Sequence, residues 1–282
     1  MKVAGLELID PQPVGGGDIC RAFAARTRDG TRVFAKTLAD PPPGFFEAEA
    51  AGLDRLRVAG GPPVPAAIAV AADGLVLEWI DPGQPSAGAA HSFGRALGVL
   101  HTSGGRSYGA HGPGYVATVP LDNTPTPDWP TFHAERRLRP ALRMAVDRRA
   151  LSEPDARAVD AVIQRLAELA APVGAPARVH GDLWAGNLHW GADGQVWLID
   201  AAAAHDGNSE TDLAMLALFG APYLDDVLAG YDSVTPRAAG WRSRVALHQV
   251  HPLLIHAVLF GGGYGSRAGD AARTALAGSA GG

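Results

Sequence analysis

The sequence predicts an α+β protein with two lobes, a small N-terminal antiparallel β lobe with one main helix and a larger, mostly helical C-terminal lobe. Three observations lead to this prediction. β-like runs separated by Asp-Gly turns fill most of the first eighty residues, helical patterns dominate from residue 91 onward, and Asp81-Pro82-Gly83 breaks the chain between them. We therefore place the two units at residues 1–80 and 81–282.

The N-terminal unit is predicted from its turns and its one helical pattern. Asp29-Gly30 and Asp73-Gly74 each separate two β-like runs, which is a strong hairpin signal. Between the two hairpins, residues 45–58 place apolar side chains at helical spacing, and Gly60-Gly61 ends the pattern. The predicted strands cover residues 19–26, 32–37, 66–70 and 75–80.

Helical patterns follow the break at residues 81–83, with one short β interruption. The predicted helices cover residues 91–101, 131–149 with an internal Pro140, 155–171, and segments between 210 and 260. The interruption has short apolar runs at residues 178–180, 188–190 and 196–199. The Gly/Ala/Ser-rich end, residues 277–282, is predicted to be frayed.

Composition narrows the classes of protein. The chain has 282 residues, of which 47% are hydrophobic and 19% charged, and its net charge is −5. This excludes intrinsic disorder, and the acidic balance gives no general attraction to nucleic acid or anionic membranes, so we expect neither as a partner. The single cysteine, Cys20, excludes an intramolecular disulfide, and no export signal or membrane span is visible, so we expect a cytoplasmic protein.

The residues with the clearest chemical meaning lie within the β interruption. Asp182 and Asn187 belong to the run His180-Gly181-Asp182-Leu183-Trp184-Ala185-Gly186-Asn187, and Asp200 follows the next strand-like run. Phosphoryl transfer from a nucleotide needs a carboxylate near the attacking hydroxyl and hard oxygen ligands for Mg²⁺. The spacing matches the catalytic loop and metal-binding Asp of the protein-kinase-like fold. Local capping of turns is the alternative explanation for Asp182 and Asn187.

Upstream residues appear in the order that a nucleotide-binding lobe requires. Lys36 ends a β-like run and Glu49 lies on the next helix, as a strand Lys and a helix Glu would in such a lobe. Gly15, Gly16 and Gly17 precede the first hairpin, where backbone amides would approach phosphates. Taken singly, Lys36 could be a solvated strand end and the glycines a flexible turn. Their order relative to the Asp182 loop favours a site for ATP and Mg²⁺.

The run from His180 to Asn187 resembles the HGDLWxGN motif of the fructosamine kinase (ketosamine 3-kinase) family, relatives of the aminoglycoside and choline kinases. The resemblance extends over about residues 15–264. Further similar stretches lie at residues 46–50, 122–124, 136–140, 212–215, 218–220 and 240–264. Two departures stand out: Ala201 follows Asp200 where the family usually has Pro, and residues 205–211 replace a more compact approach to Asp212.

The resemblance implies Mg²⁺- and ATP-dependent phosphorylation of a ketosamine on its 3-hydroxyl, as a deglycation repair. It implies that Asp182 orients and deprotonates the sugar hydroxyl and that Asn187 and Asp200 hold Mg²⁺. Lys36 would contact the α- and β-phosphates, with Glu49 holding its ammonium in place. The acceptor would be a small-molecule or protein-bound ketosamine, and we expect a monomer.

The expected adenine-binding and substrate-binding residues rest on less specific sequence patterns. Backbone groups of Glu78, Trp79 and Ile80 would receive adenine at the hinge between the two units. Trp184 would stack on a sugar or an amine-bearing substrate, and a packing role in the interior is its alternative. An apolar helical pattern contains His248, His251 and His256 without an accompanying acid or Cys on the same face, which favours packing over metal binding.

Two alternatives to a ketosamine kinase remain open on the sequence. One is another small-molecule kinase of the same fold, which would act on an aminoglycoside, a choline-like compound or another amino sugar. The other is a nucleotide-binding pseudokinase, an alternative that remains open because Ala201 replaces the usual Pro next to Asp200. The residues also leave open whether the sugar derives from fructose, ribulose or erythrulose.

Overall fold

The N-terminal part of the chain is built on an antiparallel β-sheet. The computed structural model describes residues 1–15 and 19–278. The strands are β1 (Lys2–Val3), β2 (Leu6–Glu7), β3 (Ile9–Val14), β4 (Arg21–Arg26), β5 (Arg32–Thr37), β6 (Ala67–Ala71) and β7 (Gly74–Glu78). β1 and β2 form a separate hairpin, and the other five form one sheet in the order β3-β4-β5-β7-β6. The predicted pairs β4–β5 and β6–β7 are confirmed.

Strand β3 was not predicted, and its sequence explains why. It contains Pro11 and Pro13, and proline has no N–H to donate to a neighbouring strand. The structure places β3 at the edge of the sheet, where only one side needs partners. The prolines are therefore compatible with a strand that pairs only with β4.

Helix α1 (Phe45–Leu56) covers one face of this sheet. Alternation along β5 sends Val33 and Ala35 to the face covered by the β1–β2 hairpin, so that Lys36 points to the α1 face. The helix begins after Gly44, which has a φ of 73°, and buries Glu49 on its sheet-facing side. Alternation in the strand and helical spacing in α1 thus bring Lys36 and Glu49 together.

The remainder of the chain is mostly helical, as predicted. Its helices are α2 (Ala87–His101), α3 (Trp129–His133), α4 (Arg139–Asp147), α5 (Glu153–Gln164), α6 (Leu166–Leu169), α7 (Ser209–Phe219), α8 (Leu224–Asp232), α9 (Trp241–Phe260) and α10 (Tyr264–Gly278). Three two-stranded ladders join β8 (Gly114–Val116) to β9 (Val119–Leu121), β10 (Ala177–Val179) to β13 (His205–Gly207), and β11 (Leu188–Trp190) to β12 (Val196–Leu198).

Three details differ from the sequence expectation. The helix predicted over residues 131–149 is divided into α3, a π-helical turn at Ala134–Leu138, and α4, with Pro140 in the first turn of α4, where its missing N–H costs nothing. The ladders β8–β9 and β10–β13 include strands that were not predicted. Residues 277 and 278, predicted to be frayed, are the end of α10, and residues 279–282 lie outside the described part of the chain.

A single hydrophobic cluster connects the parts that carry the candidate site. It contains Phe46 and Leu53 of α1, Leu188 and Leu198 of the β11–β12 ladder, and Leu213 of α7. These buried side chains hold the sheet-covering helix against the segment that includes Asp182 and Asp200. In the described residues, no helix combines the length and hydropathy needed to cross a bilayer.

Candidate active site

Lys36 lies between two carboxylates. Its Nζ is 2.6 Å from Oε1 of Glu49, and it also forms an ion pair and hydrogen bond with Oδ1 of Asp200. The side chains of Lys36 and Glu49 are buried, whereas that of Asp200 is 44% exposed. The structure therefore brings together the predicted strand Lys, helix Glu and strand-terminal Asp. The direct contact between Lys36 and Asp200 was not predicted.

The three charges shift one another's protonation equilibria. Burial disfavours the Lys36 ammonium, but the carboxylates of Asp200 and Glu49 outweigh it and raise the pKa of Lys36. Burial raises the pKa of Glu49 to about 7, against the opposing attraction of Lys36. Burial acts on Asp200 in the same direction, yet the adjacent Lys36 prevails and lowers the pKa of that carboxyl. Glu49 is thus the carboxyl of this group that takes up a proton first.

The loop that carries Asp182 is anchored by Asp212 of α7. The backbone N–H groups of His180 and Gly181 donate to the Asp212 carboxylate at 2.7 and 2.9 Å, and His101 of α2 contacts it at 3.3 Å. Gly181 has a φ of 81°, and a Cβ there would lie 2.4 Å from the carbonyl oxygen of Ala203, so only glycine fits. In the sequence, Asp212 belongs to a stretch that is similar to the fructosamine kinase family, but no structural or catalytic role was predicted for it.

A second set of hydrogen bonds joins this loop to the residues that precede Asp200. The imidazole Nε2 of His180 lies 2.8 Å from the carbonyl oxygen of Ile199. The backbone N–H of Ile199 donates to the carbonyl oxygen of Asn187 at 3.2 Å, next to the paired residues Leu188 and Leu198. Asn187 and Asp200 therefore lie beside each other at one end of the β11–β12 ladder.

Asn187 and Asp200 form a donor set that fits Mg²⁺. The side-chain N–H of Asn187 donates to the backbone oxygen of Asp182 at 2.8 Å, which leaves its side-chain carbonyl oxygen as the group for a metal. Mg²⁺ in nucleotide sites is held by one or two protein oxygen ligands together with phosphates and waters. Within the described residues, no group of three or more His, Cys, Asp or Glu side chains could hold a metal by itself. Asn187 and Asp200 would therefore share a Mg²⁺ ion with nucleotide phosphates and waters.

Asp182 has the environment of a general base. Its side chain is half-buried, and burial raises the pKa of its carboxyl, with His180 and His256 opposing that effect. A raised pKa brings a carboxylate closer to the basicity needed to accept a proton from a hydroxyl. Asp182, Asn187 and Asp200 thus lie on two hydrogen-bonded segments, as the sequence predicted from their spacing.

Trp184 lies at the edge of an aromatic cluster formed by Trp184, Phe219, His256, Phe260 and Tyr264. The indole is 41% exposed and meets Phe219 edge-on, with 6.3 Å between ring centroids. The ring of His256 lies between those of Phe219 and Tyr264 and is tilted against both, with centroid distances of 4.9 and 5.1 Å. The exposure of Trp184 argues against the interior packing role. His256, expected only to pack, also acts electrostatically on Asp182.

The hinge predicted at residues 78–80 follows the end of β7. The carbonyl oxygen of Ile80 contacts Nε2 of His189 at 3.2 Å, and the indole N–H of Trp79 donates to Asp81 at 2.8 Å. The backbone N–H of Glu78 donates to the carbonyl oxygen of Ala66 at 2.9 Å. Of the glycine-rich run, Gly15 directly follows β3, whereas Gly16 and Gly17 lie outside the described residues.

Comparison with known proteins gives one consistent result. The fructosamine kinase family model matches residues 3–277. A Thermus thermophilus relative assigned as a ketoamine kinase is 36% identical over 94% of each chain. The chloroplastic protein-ribulosamine 3-kinase of Arabidopsis thaliana is 31% identical, over 90% of this chain and 79% of its own.

Solved structures agree with these relatives. A crystal structure from Thermobifida fusca, described as a fructosamine-3-kinase, is 45% identical over 98% of this chain and 96% of its own, with a TM-score of 0.91. An aminoglycoside phosphotransferase structure covers 98% of this chain and 96% of its own at 13% identity, with a TM-score of 0.68. The latter similarity confirms the predicted two-lobed, protein-kinase-like α+β fold. With its motif, its site geometry and its full-length similarity in agreement, the chain belongs to the fructosamine kinase family.

Proposed function

We propose that this chain transfers the γ-phosphoryl group of ATP to the 3-hydroxyl of a ketosamine, in the repair of glycated amines. The observation that carries the proposal is the position of Asp182 on a loop fixed by Asp212 and joined to Asn187 and Asp200. The family membership supplies the substrate class, and the names of the relatives supply the 3-position.

The chemistry assigned to Asp182 is proton removal. Its carboxylate accepts the hydroxyl proton as the sugar oxygen forms a bond to the γ-phosphorus, while the bond from that phosphorus to the bridging oxygen breaks and ADP leaves with the electron pair. The raised pKa of Asp182 favours this transfer. Mg²⁺ held by Asn187 and Asp200 would supply charge neutralisation on the phosphates.

Nucleotide binding is assigned to the first unit of the chain, residues 1–80, and acceptor binding to residues 81–282. Lys36 would bind the α- and β-phosphates while Glu49 holds its ammonium, at the 2.6 Å contact seen here. The backbone of Gly15, Gly16 and Gly17 would approach the phosphates, and that of Glu78, Trp79 and Ile80 would receive adenine. We further propose a cytoplasmic monomer.

The acceptor would lie on Trp184. An exposed indole beside the proposed base offers its face to the carbon skeleton of a sugar and to the positive charge of an alkylamine. A ketosamine carries both groups next to each other, so that one aromatic face serves both. The rest of the aromatic cluster holds the indole edge-on through Phe219.

Acceptor-dependent ATP consumption tests this proposal. Purified protein is assayed with Mg²⁺ and ATP, with and without ribulosyl-lysine or fructosyl-lysine. Asp182→Asn should lower acceptor-dependent turnover by roughly 10²- to 10⁴-fold because it removes the general base, while ADP affinity stays nearly unchanged. Asp225→Asn, the same change on an exposed residue of α8, is the matched control.

The outcomes separate the alternatives. Turnover with a ketosamine that Asp182→Asn abolishes supports the proposal, and the two acceptors then rank the sugars. Full activity of Asp182→Asn would refute its role as base. Retained ADP binding with no turnover on either acceptor would refute the ketosamine assignment and favour another acceptor or a pseudokinase.

A further inference from the structure

A cavity of about 400 Å³ lies beside α1. We call it the α1 cavity. Its walls come from Ala48, Gly52 and Arg55 of α1, from Arg178 of β10, and from Ala202 and Ala204 after Asp200. It involves neither Asp182 nor Trp184, so the chemistry proposed for the active site does not account for it.

Two arginine side chains face this cavity with incomplete partners. The guanidinium groups of Arg55 and Arg178 each come within 3.7 Å of the carboxylate of Asp206, which is an ion-pair distance but longer than a hydrogen bond. Nε of Arg178 is buried and has no hydrogen-bond partner in residues 1–15 and 19–278. Since each guanidinium has five N–H donors, both side chains retain donors for a further group.

Asp206 alone does not supply hydrogen-bond acceptors for all the N–H groups of Arg55 and Arg178. One of its oxygens, Oδ2, accepts the backbone N–H of Gly105 at 3.1 Å, and the buried Oδ1 has no hydrogen-bond partner among the described residues. Two permanent cations therefore converge on one carboxylate. Asp54 and His111 also line the cavity, but both are exposed to solvent, where water screens their charge.

We propose that the α1 cavity binds a small anionic molecule whose phosphate or carboxylate oxygens accept hydrogen bonds from Arg55 and Arg178. One guanidinium can bind such a group through two parallel N–H donors, which suits a planar carboxylate or a phosphate edge. An occupant of this cavity would contact α1, which carries Glu49, and also the segment after Asp200. The site is separate from the proposed phosphoryl transfer and stands without it.

Direct binding measurements test the proposal without relying on enzymatic activity. Inorganic phosphate and citrate are each titrated into the protein by calorimetry, at a constant ionic strength of about 0.15 M so that surface charge is screened. We expect saturable binding of at least one of the two anions, and the comparison between them distinguishes phosphate from carboxylate recognition. Binding of neither anion to the wild-type protein would overturn the proposal.

Variants locate the binding. Arg178→Gln and, independently, Arg55→Gln should weaken the bound anion about tenfold or more, because each removes a charge-assisted hydrogen bond. Arg143→Gln, on an exposed face of α4, is the matched control and should leave the affinity unchanged. Thermal melting verifies that each variant is folded. If Arg178→Gln does not fold, the affinity of Arg55→Gln for the anion tests the proposal. An affinity that survives both changes would assign the anion to another site, such as the nucleotide site, and overturn the proposal.

Discussion

Replacing Glu49 with Gln tests how the buried charges around Lys36 are balanced. Lys36 contacts Glu49 and Asp200, and burial raises the pKa of Glu49 from 4.5 to about 7. A carboxyl with a raised pKa in the folded state binds its proton more tightly there than in the unfolded chain. The wild-type protein therefore loses stability as the pH rises from about 4.5 to about 7. A glutamine at this position does not ionise, so the variant should not show this loss.

The size of the effect follows from the size of the shift. A change from 4.5 to about 7 in the pKa of Glu49 corresponds to about 3 kcal/mol of free energy of unfolding. Part of this is already lost at pH 5, so Glu49→Gln should gain about 2 to 3 kcal/mol relative to wild type between pH 5 and pH 8. At pH 5, where Glu49 of the folded wild-type protein is still mostly protonated, the two proteins should differ by only about 1 kcal/mol.

Urea unfolding in EDTA without nucleotide, at pH 5, 6, 7 and 8, measures the difference. Glu47→Gln is the matched control because it makes the same chemical change on an exposed residue of α1. The reasoning fails if Glu49→Gln is less stable than wild type by the same amount at every pH. That result would mean that Glu49 is ionised throughout and that Lys36 prevails over burial.

Three other substitutions test separate features of the structure. Trp184→Ala should raise the KM for the ketosamine about tenfold and leave the KM for ATP unchanged if the indole face binds the acceptor as proposed. Equal effects on both KM values would indicate a packing role. Gly52→Ala should lower the thermal melting temperature and reduce the free energy of unfolding by about 3 kcal/mol or more, because the new Cβ would lie 1.9 Å from the carbonyl oxygen of Ala201. An unchanged melting temperature would contradict that contact. Asp212→Asn should cost about 1 to 3 kcal/mol of stability and reduce turnover more than ADP affinity, because the loop that carries Asp182 loses a charged acceptor for two backbone N–H groups. Parallel losses of turnover and ADP affinity would argue against a positioning role.

Local signals in the sequence account for the parts of the fold that were predicted. The Asp-Gly turns locate the hairpins β4–β5 and β6–β7, and helical spacing locates α1. Lys36 and Glu49 belong to neighbouring elements of this unit, so alternation and helical spacing suffice to put them on facing surfaces. The run from Asp182 to Asn187 is one short continuous segment, so its spacing alone keeps these two residues close together.

Other features depend on contacts that the sequence does not encode locally. The Lys36–Asp200 contact joins residues 164 positions apart. Helix α10 buries small residues, among them Gly265, Ala268 and Ala272, against α5 and α9, so it lacks the large apolar side chains that make a helical pattern visible. His256 lies within an apolar helix, and its place in the aromatic cluster that includes Phe219 is a tertiary contact that helical spacing does not predict.

The two carboxylates on Lys36 differ in a way that assigns them different tasks. A buried ammonium needs a charged or hydrogen-bonded partner at all times, because leaving it alone costs several kcal/mol. The side chain of Glu49 is only 5% exposed and cannot turn to another cation, whereas that of Asp200 is 44% exposed. We infer that Glu49 stays beside Lys36 as a charged or hydrogen-bonded partner in either protonation state, and that Asp200 is the exchangeable partner. Nucleotide phosphates would then compete with Asp200 for the same ammonium, and the displaced carboxylate would be free to act as the metal ligand that its position beside Asn187 suggests.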